Sequence, residues 1–165
     1  QCTFCGQCVQ TCPTGALSDK KALRAKESPE EIKKTRSVCP YCGVGCTVDI
    51  LSKGDRVVGI QPAMDGPANE GALCVKGQYA FDFVHHPDRL QKPLIRQDDG
   101  TFKESDWDEA LEVAAKGFTK VLEENGRRAI YGIASGRAPH EAAYTMQKFI
   151  RSNFGTNYID NCSRS

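Results

Sequence analysis

The sequence lacks any run of the roughly 18 apolar residues that a membrane span needs, so no transmembrane helix is predicted in it. It has no surplus of charge. The formal net charge is +1, which offers no electrostatic footprint for nucleic acid or an anionic membrane. It has no initiator methionine and no charged-then-apolar leader. It opens Gln1-Cys2, and reads as a processed chain or as a piece of a longer one. Nor are its cysteines spread out, as disulfide frameworks spread them to staple distant loops.

The cysteines are many and bunched. Nine occur in 165 residues. Four lie within Cys2–Cys12 and three within Cys39–Cys46, with Cys74 and Cys162 single. Thiols two or three residues apart are poorly placed to bridge one another and well placed to converge on a metal.

Along the chain, residues 1–17 read as a cysteine-rich loop punctuated by Gly6, Pro13 and Gly15. The charged stretch Ser18–Arg36 follows. In it Ser28 is placed to cap a short helix, with Pro29 first and Glu30 and Glu31 in the first turn. That helix has almost no apolar face, so the stretch reads as a solvated linker. A second unit runs from Cys39 to about His86. In it Thr47–Leu51 and Arg56–Ile60 alternate apolar and polar residues around a Ser52–Asp55 turn, predicting a β-hairpin. The loop Gln61–Gly71 then returns Cys74 toward the start of the unit. From Lys103 helix and strand alternate. Ser105 and Asp108 suggest a capping box, and Trp107, Leu111, Ala114, Phe118 and Leu122 keep helical spacing until Asn125-Gly126. Ala129–Ala134 predicts a strand. A helix from Pro139 to Gly155 has Ala142, Ala143, Met146, Phe149 and Ile150 on its apolar face, and Asn157–Asp160 predicts another strand. This order argues for the opening of an α/β domain with a parallel sheet. Two strands are too few to complete it.

Cys2-x2-Cys5-x2-Cys8-x3-Cys12-Pro13 is the run that bacterial ferredoxins use for a [4Fe–4S] cluster. Soft thiolates suit iron, Pro13 turns the chain away, and Gly6 lets backbone N–H groups approach sulfur. Structural zinc, the rival, favours two CxxC knuckles separated by a longer loop. In two-cluster ferredoxins the fourth cysteine serves the other cluster. On that pattern Cys2, Cys5 and Cys8 share one cluster whose remaining ligand lies upstream, and Cys12 serves a second. The alternative is one cluster closed by all four.

The second motif is Cys39-x2-Cys42-x3-Cys46, with Cys74 after 27 intervening residues. Alone it indicates a four-cysteine metal site. With its surroundings (CPYCGVGC, NEGALCVKG at Asn69–Gly77, and FVHHPDRLQKPLIR at Phe83–Arg96) the chain closely resembles molybdenum- or tungsten-dependent formate dehydrogenases of the molybdopterin oxidoreductase family. Assimilatory nitrate reductases share the CPYCGVGC element. The ferredoxin-like run ahead of it is similar to the extension of long cytoplasmic formate dehydrogenase α subunits.

The resemblance covers essentially all 165 residues and implies an α+β chain in three parts. Residues 1–36 would be the C-terminal half of a ferredoxin-like domain plus linker, 37–90 a small β-rich [4Fe–4S] domain, and 91–165 the start of an α/β molybdopterin-binding domain. It implies that Cys39, Cys42, Cys46 and Cys74 bind the cluster nearest the active site. Lys76 would lie between that cluster and a pterin of a molybdenum or tungsten bis-molybdopterin guanine dinucleotide, where a fixed cation suits two anionic groups. The implied reaction is reversible oxidation of formate to CO2 in the full-length enzyme. Electrons would leave past Lys76 and through the clusters to iron–sulfur, flavin or hydrogenase subunits in the cytoplasm.

Other residues carry weaker signals. His85 and His86, with Pro87 and Asp88, read as structural residues at a junction, and His140 as an exposed residue of a first helical turn. Ser135-Gly136-Arg137 follows a strand and precedes a helix, as phosphate-cradling loops do, which makes Gly136 and Arg137 candidate cofactor contacts. Asn157–Asp160 and Arg137–Tyr144 depart from the family pattern, which has Asn-Asn and Asn-Glu-Glu there. The ending Cys162-Ser163-Arg164-Ser165 resembles the segment just before the metal-ligating selenocysteine or cysteine. That residue would be 166, so a UGA selenocysteine codon read as stop is expected after Ser165 and the isolated chain is expected to be inactive. Cys162 then reads as a small buried residue. A stand-alone electron carrier and a zinc-stabilised binding module are the other classes; the first has no need of Trp107–Asp160.

Overall fold

The alternation at Thr47–Leu51 and Arg56–Ile60 forms an antiparallel hairpin in the computed structural model, which describes residues 2–21 and 31–162. Strand β2 spans Thr47–Lys53 and β3 Arg56–Pro62, so both run longer than the sequence pattern indicates. Val48 pairs with Pro62 and Lys53 with Arg56, with a bulge between Leu51 and Ser52.

A third strand was not expected. β1, Lys33–Val38, pairs antiparallel with β2 and makes the sheet order β1-β2-β3. The charged stretch is therefore not all linker. Its last residues form an edge strand, where exposed Lys and Arg discourage further pairing. They also serve a buried carboxylate: Asp49 on β2 is 3% exposed and meets Lys34 Nζ at 2.9 Å and Arg36 Nε at 3.0 Å. Arg36 also reaches Asp65 at 2.7 Å. The helix expected from Ser28 lies outside the described residues.

Behind the hairpin, Gln61 and Pro62 extend β3 and the loop proper begins at Ala63. After Cys74 comes a short helix, α2, Val75–Tyr79; α1 is Gln7–Gln10 in the ferredoxin-like segment. The core here is Cys39, Val48 and Leu73, with Tyr41, Cys46, Ile50 and Ile60 packed on it. Two of the motif cysteines thus belong to the hydrophobic core.

The described residues up to Pro87, joined by Gly136–His140, form one compact unit. Asp88–Ser135 and the described residues from Glu141 onward form a second. The second opens with a small hairpin, β4 Leu94–Arg96 and β5 Phe102–Glu104, which no periodicity announced. Asp99 closes its turn by accepting from the Thr101 N–H and Oγ1.

Helix α3, Trp107–Asn125, forms as its spacing predicts, but its cap differs. Asp106, extended at φ −86°, accepts from the Glu109 N–H at 2.8 Å. The capping pair is therefore Asp106 with Glu109, one residue later than Ser105 with Asp108. The carboxylate sits where an N-cap oxygen must be. Gly126, at φ +73°, ends the helix as expected, its N–H bonded to the Leu122 carbonyl.

The strand expected over Ala129–Ala134 shortens to β6, Gly132–Ala134, because Arg127–Ala129 coil into a 3-10 turn first. Helix α4 is His140–Phe154, and β7, Ile159–Asn161, pairs parallel with β6. The parallel pairing is the one the α-β-α-β order predicts. Ile130, Ile150 and Phe154 make this unit's core, with Val121, Leu122, Met146 and Ile159 against it. Gly132 lets α4 approach β6: a Cβ there would stand 2.6 Å from Ile150 Cγ1.

Candidate metal centres

The Cys39, Cys42, Cys46 and Cys74 set is assembled by the sheet and α2. The Cys39 N–H donates to the Cys46 carbonyl at 2.9 Å, closing the CPYCGVGC loop as β2 begins. Tyr41 bonds the Ala80 carbonyl through its hydroxyl and packs edge-on against Phe83, fixing the loop to the end of α2. Cys74 returns by a latch at Asn69. The Asn69 side chain accepts from the Thr47 N–H at 2.8 Å and donates to the carbonyls of Thr47 and Ala72 at 3.2 and 3.0 Å. It thereby ties the loop ahead of Cys74 to the residue just after Cys46. Gly77 on α2 lies against this set, within van der Waals reach of Cys39 Sγ.

The four thiols act on one another. Burial pushes the Cys39 thiol above its usual range and Cys74 and Cys42 add to this, while the Tyr41 N–H and Lys76 oppose it. Burial also raises Cys46, reinforced by Cys39, Cys42 and Cys74. Thiols so placed give up their protons most readily to a metal. Among the described residues no three Cys, His, Asp or Glu side chains converge on one point as a single ion requires. Thiolates are the soft donors that iron–sulfur groups take. Lys76, exposed, lies with Cys39 and Gly77 in the wall of one apolar pocket.

The ferredoxin-like run divides. Cys2, Cys5 and Cys8 line one open pocket of about 480 Å³ together with Val75 and Tyr79. Backbone N–H groups already point at sulfur: Phe4 donates to Cys2 Sγ at 3.3 Å, and the Gln7 N–H, aided by the Thr3 hydroxyl, holds the Cys5 thiol below its usual range. Cys12 lies outside this pocket. The Thr14 hydroxyl at 3.5 Å and the Leu17 and Thr14 N–H groups lower its thiol to about 7. Gly6 is left-handed at φ +81° and buried, and what approaches it is the Tyr79 hydroxyl.

The remaining candidates fall as follows. His85 Nε2 accepts from the Val57 N–H at 2.9 Å, which engages it with β3. Gly136 and Arg137 sit in a turn whose segment, Gly136–His140, groups with the cysteine-bearing unit. His140 is exposed, with its ring 2.9 Å from where a Gly43 Cβ would be. Cys162 is not buried. It lies exposed at the end of β7, where its N–H meets the Ala134 carbonyl and its thiol is 3.5 Å from Ser135 Oγ.

This arrangement matches known families. The Molybdopterin oxidoreductase Fe4S4 domain profile fits residues 32–86, and the Molybdopterin oxidoreductase profile fits 89–165. The chain belongs to the molybdopterin oxidoreductase family. A 4Fe-4S binding domain profile also fits residues 1–18. This member of the family is therefore an α+β chain with a 4Fe–4S segment, an Fe4S4 domain and the start of a molybdopterin domain, and its domains indicate iron–sulfur clusters and a molybdopterin cofactor. It is 45% identical over 152 residues to proteins named "Putative formate dehydrogenase" in Staphylococcus aureus strains MRSA252, USA300 and NCTC 8325 / PS 47. The match takes in 92% of this chain and 15% of each relative, so the chain spans about 15% of the length of the curated relatives it matches. No helix among the described residues is long and apolar enough to cross a membrane.

Sequence reasoning missed Asn69 as a latch, and it missed Lys21, Gln78 and Tyr79, which hold the ferredoxin-like segment. Asn69 carried a signal, being an Asn in a Pro- and Gly-rich loop, where side chains that bond backbone are favoured. The others carried none.

Proposed function

We propose that this chain is the electron-transfer and N-terminal part of a formate dehydrogenase catalytic subunit, acting in the cytoplasm in reversible formate oxidation to CO2. The observation that carries it is the gathering of Cys39, Cys42, Cys46 and Cys74 with Lys76 beside Cys39; the names of the relatives supply the substrate. When bound, the molybdenum or tungsten bis-molybdopterin guanine dinucleotide would supply two-electron chemistry and the [4Fe–4S] clusters one-electron transfer.

The chain's own residues bind and orient. Cys39, Cys42, Cys46 and Cys74 hold one cluster, with Cys39 and Cys46 anchoring it in the core. Cys2, Cys5 and Cys8 hold a second, and Cys12 serves another site, the two-cluster connectivity weighed against one closed set. Lys76 places a cation between cluster and pterin, and Gly136 and Arg137 contact the pterin nucleotide. The parts read as 1–36, 37–90 and 91–165, with β1 carrying the end of the first into the sheet of the second, and electrons leave to iron–sulfur, flavin or hydrogenase subunits.

Anaerobic purification of the natural enzyme tests this by iron, sulfide, molybdenum and tungsten analysis and by formate-driven dye reduction. Lys76→Met should lower that activity about 10–100-fold, as loss of a group beside a metal centre does, with iron content unchanged. A colourless, zinc-containing protein sinks the cluster reading. Nitrate reduction without formate oxidation transfers the chain to the nitrate reductase class.

A further inference from the structure

We infer that helix α2 is a wall shared by the two cysteine sets, and that Tyr79 and Lys21 are positioning residues that clasp the ferredoxin-like segment to it. The inference rests on the proposed reading that both sets hold clusters.

The helix faces two ways. Cys74 is its N-cap residue. The next residue, Val75, and Tyr79 one turn later line the Cys2, Cys5 and Cys8 pocket. A five-residue helix thus touches one ligand set through its cap and the other through its side chains.

Three independent contacts hold the segment there. Tyr79 sets its hydroxyl against Gly6, where any Cβ would collide. Gln10 donates to the Gln78 side chain, which in turn donates to the Ile60 carbonyl on β3 at 2.8 Å. Lys21 Nζ donates to the Tyr79 carbonyl at 2.6 Å and to Asp82 at 2.7 Å, and stands 4.5 Å from the Phe81 ring centroid. One ammonium thereby closes the carbonyl end of α2, an ion pair and a cation–π contact together. Residues 58 and 68 positions apart are joined by these bonds. Neither cysteine set needs them for ligation. Their physical consequence is a fixed separation between the sets.

The test uses the natural enzyme, purified anaerobically with its metals in place. Iron and sulfide are counted, the magnetic broadening between the two reduced clusters is read by electron paramagnetic resonance, and hydrogen exchange is followed over residues 6–12. The double variant Lys21→Ala/Tyr79→Ala should keep its iron, lose at least about half of the broadening, and exchange roughly fivefold faster, as loss of about one net hydrogen bond implies. Tyr79→Phe, which removes the hydroxyl set against Gly6 but keeps the ring, should lose less of the broadening than the double variant. Unchanged broadening and exchange in the double variant overturn the clasp. If the double variant loses iron, Lys21→Met decides, and unchanged exchange there overturns it. If the unmodified enzyme holds no cluster at Cys2, Cys5 and Cys8, the cluster reading fails, and the exchange data still accept or reject the clasp.

Discussion

Replacing Asn69 with Ala isolates the step by which Cys74 reaches its partners. The side chain makes three hydrogen bonds, two to Thr47 and one to the Ala72 carbonyl. The Thr47 pair is partly buried and the Ala72 bond exposed. A net hydrogen bond is worth about 1 kcal/mol, and water replaces the exposed one at little loss. The expected destabilisation is therefore about 2 kcal/mol. It falls on the loop between β3 and Cys74, because the Ala63 and Gly71 backbone bonds remain. Asn69→Asp keeps the acceptor for the Thr47 N–H but sets a carboxylate against two carbonyls, and should be no better than Ala. The assay is urea unfolding with iron and sulfide content after anaerobic loading. Iron should fall at the Cys39–Cys74 set with the Cys2–Cys8 set unaffected. Unchanged stability together with full iron content in Asn69→Ala would refute the latch.

Two further outcomes follow from the same geometry. Gly132→Ala drives a methyl into Ile150 and should destabilise the second unit by about 1–3 kcal/mol, the usual cost of overpacking, read by denaturant unfolding. Asp49 is held below the usual carboxylate range by hydrogen bonds from Arg36 and then Lys34. A depressed folded value means that its stabilisation is complete above the ordinary carboxylate value of about 3.9 and lost as pH falls below that through the folded value. Asp49→Asn should flatten the acid limb of unfolding followed by circular dichroism in the metal-free chain, and an unaltered limb would exclude this carboxylate as its source.

Local pattern carried much of this protein. The cysteine spacings and the residues around them pointed to iron–sulfur chemistry without any coordinates, because such motifs are short and local in the chain. Helices α3 and α4 and the β2–β3 hairpin were legible because their periods repeat over many residues. β1 was not, because an exposed edge strand needs no apolar alternation, and Lys33, Lys34 and Arg36 read as solvent-facing until Asp49 is seen buried beneath them. The true cap, Asp106, differs by one residue from the expected one because several polar residues near a helix start can serve and only backbone direction selects among them.

What the sequence determined by itself is therefore the bunching of the cysteines, helices α3 and α4 and, through the resemblance its motifs carry, the class of cofactor. Tertiary structure alone decided which thiols share a space: Cys2, Cys5 and Cys8 open onto Val75 and Tyr79, while Cys12 turns to Thr14. It also decided that Lys21, Gln10 and Gln78 join segments some sixty residues apart, and that Asn69 sets Cys74 in place. Those outcomes depend on single hydrogen bonds between residues distant in the chain. Such bonds leave no period in a sequence, because each needs only one donor and one acceptor that folding happens to bring face to face.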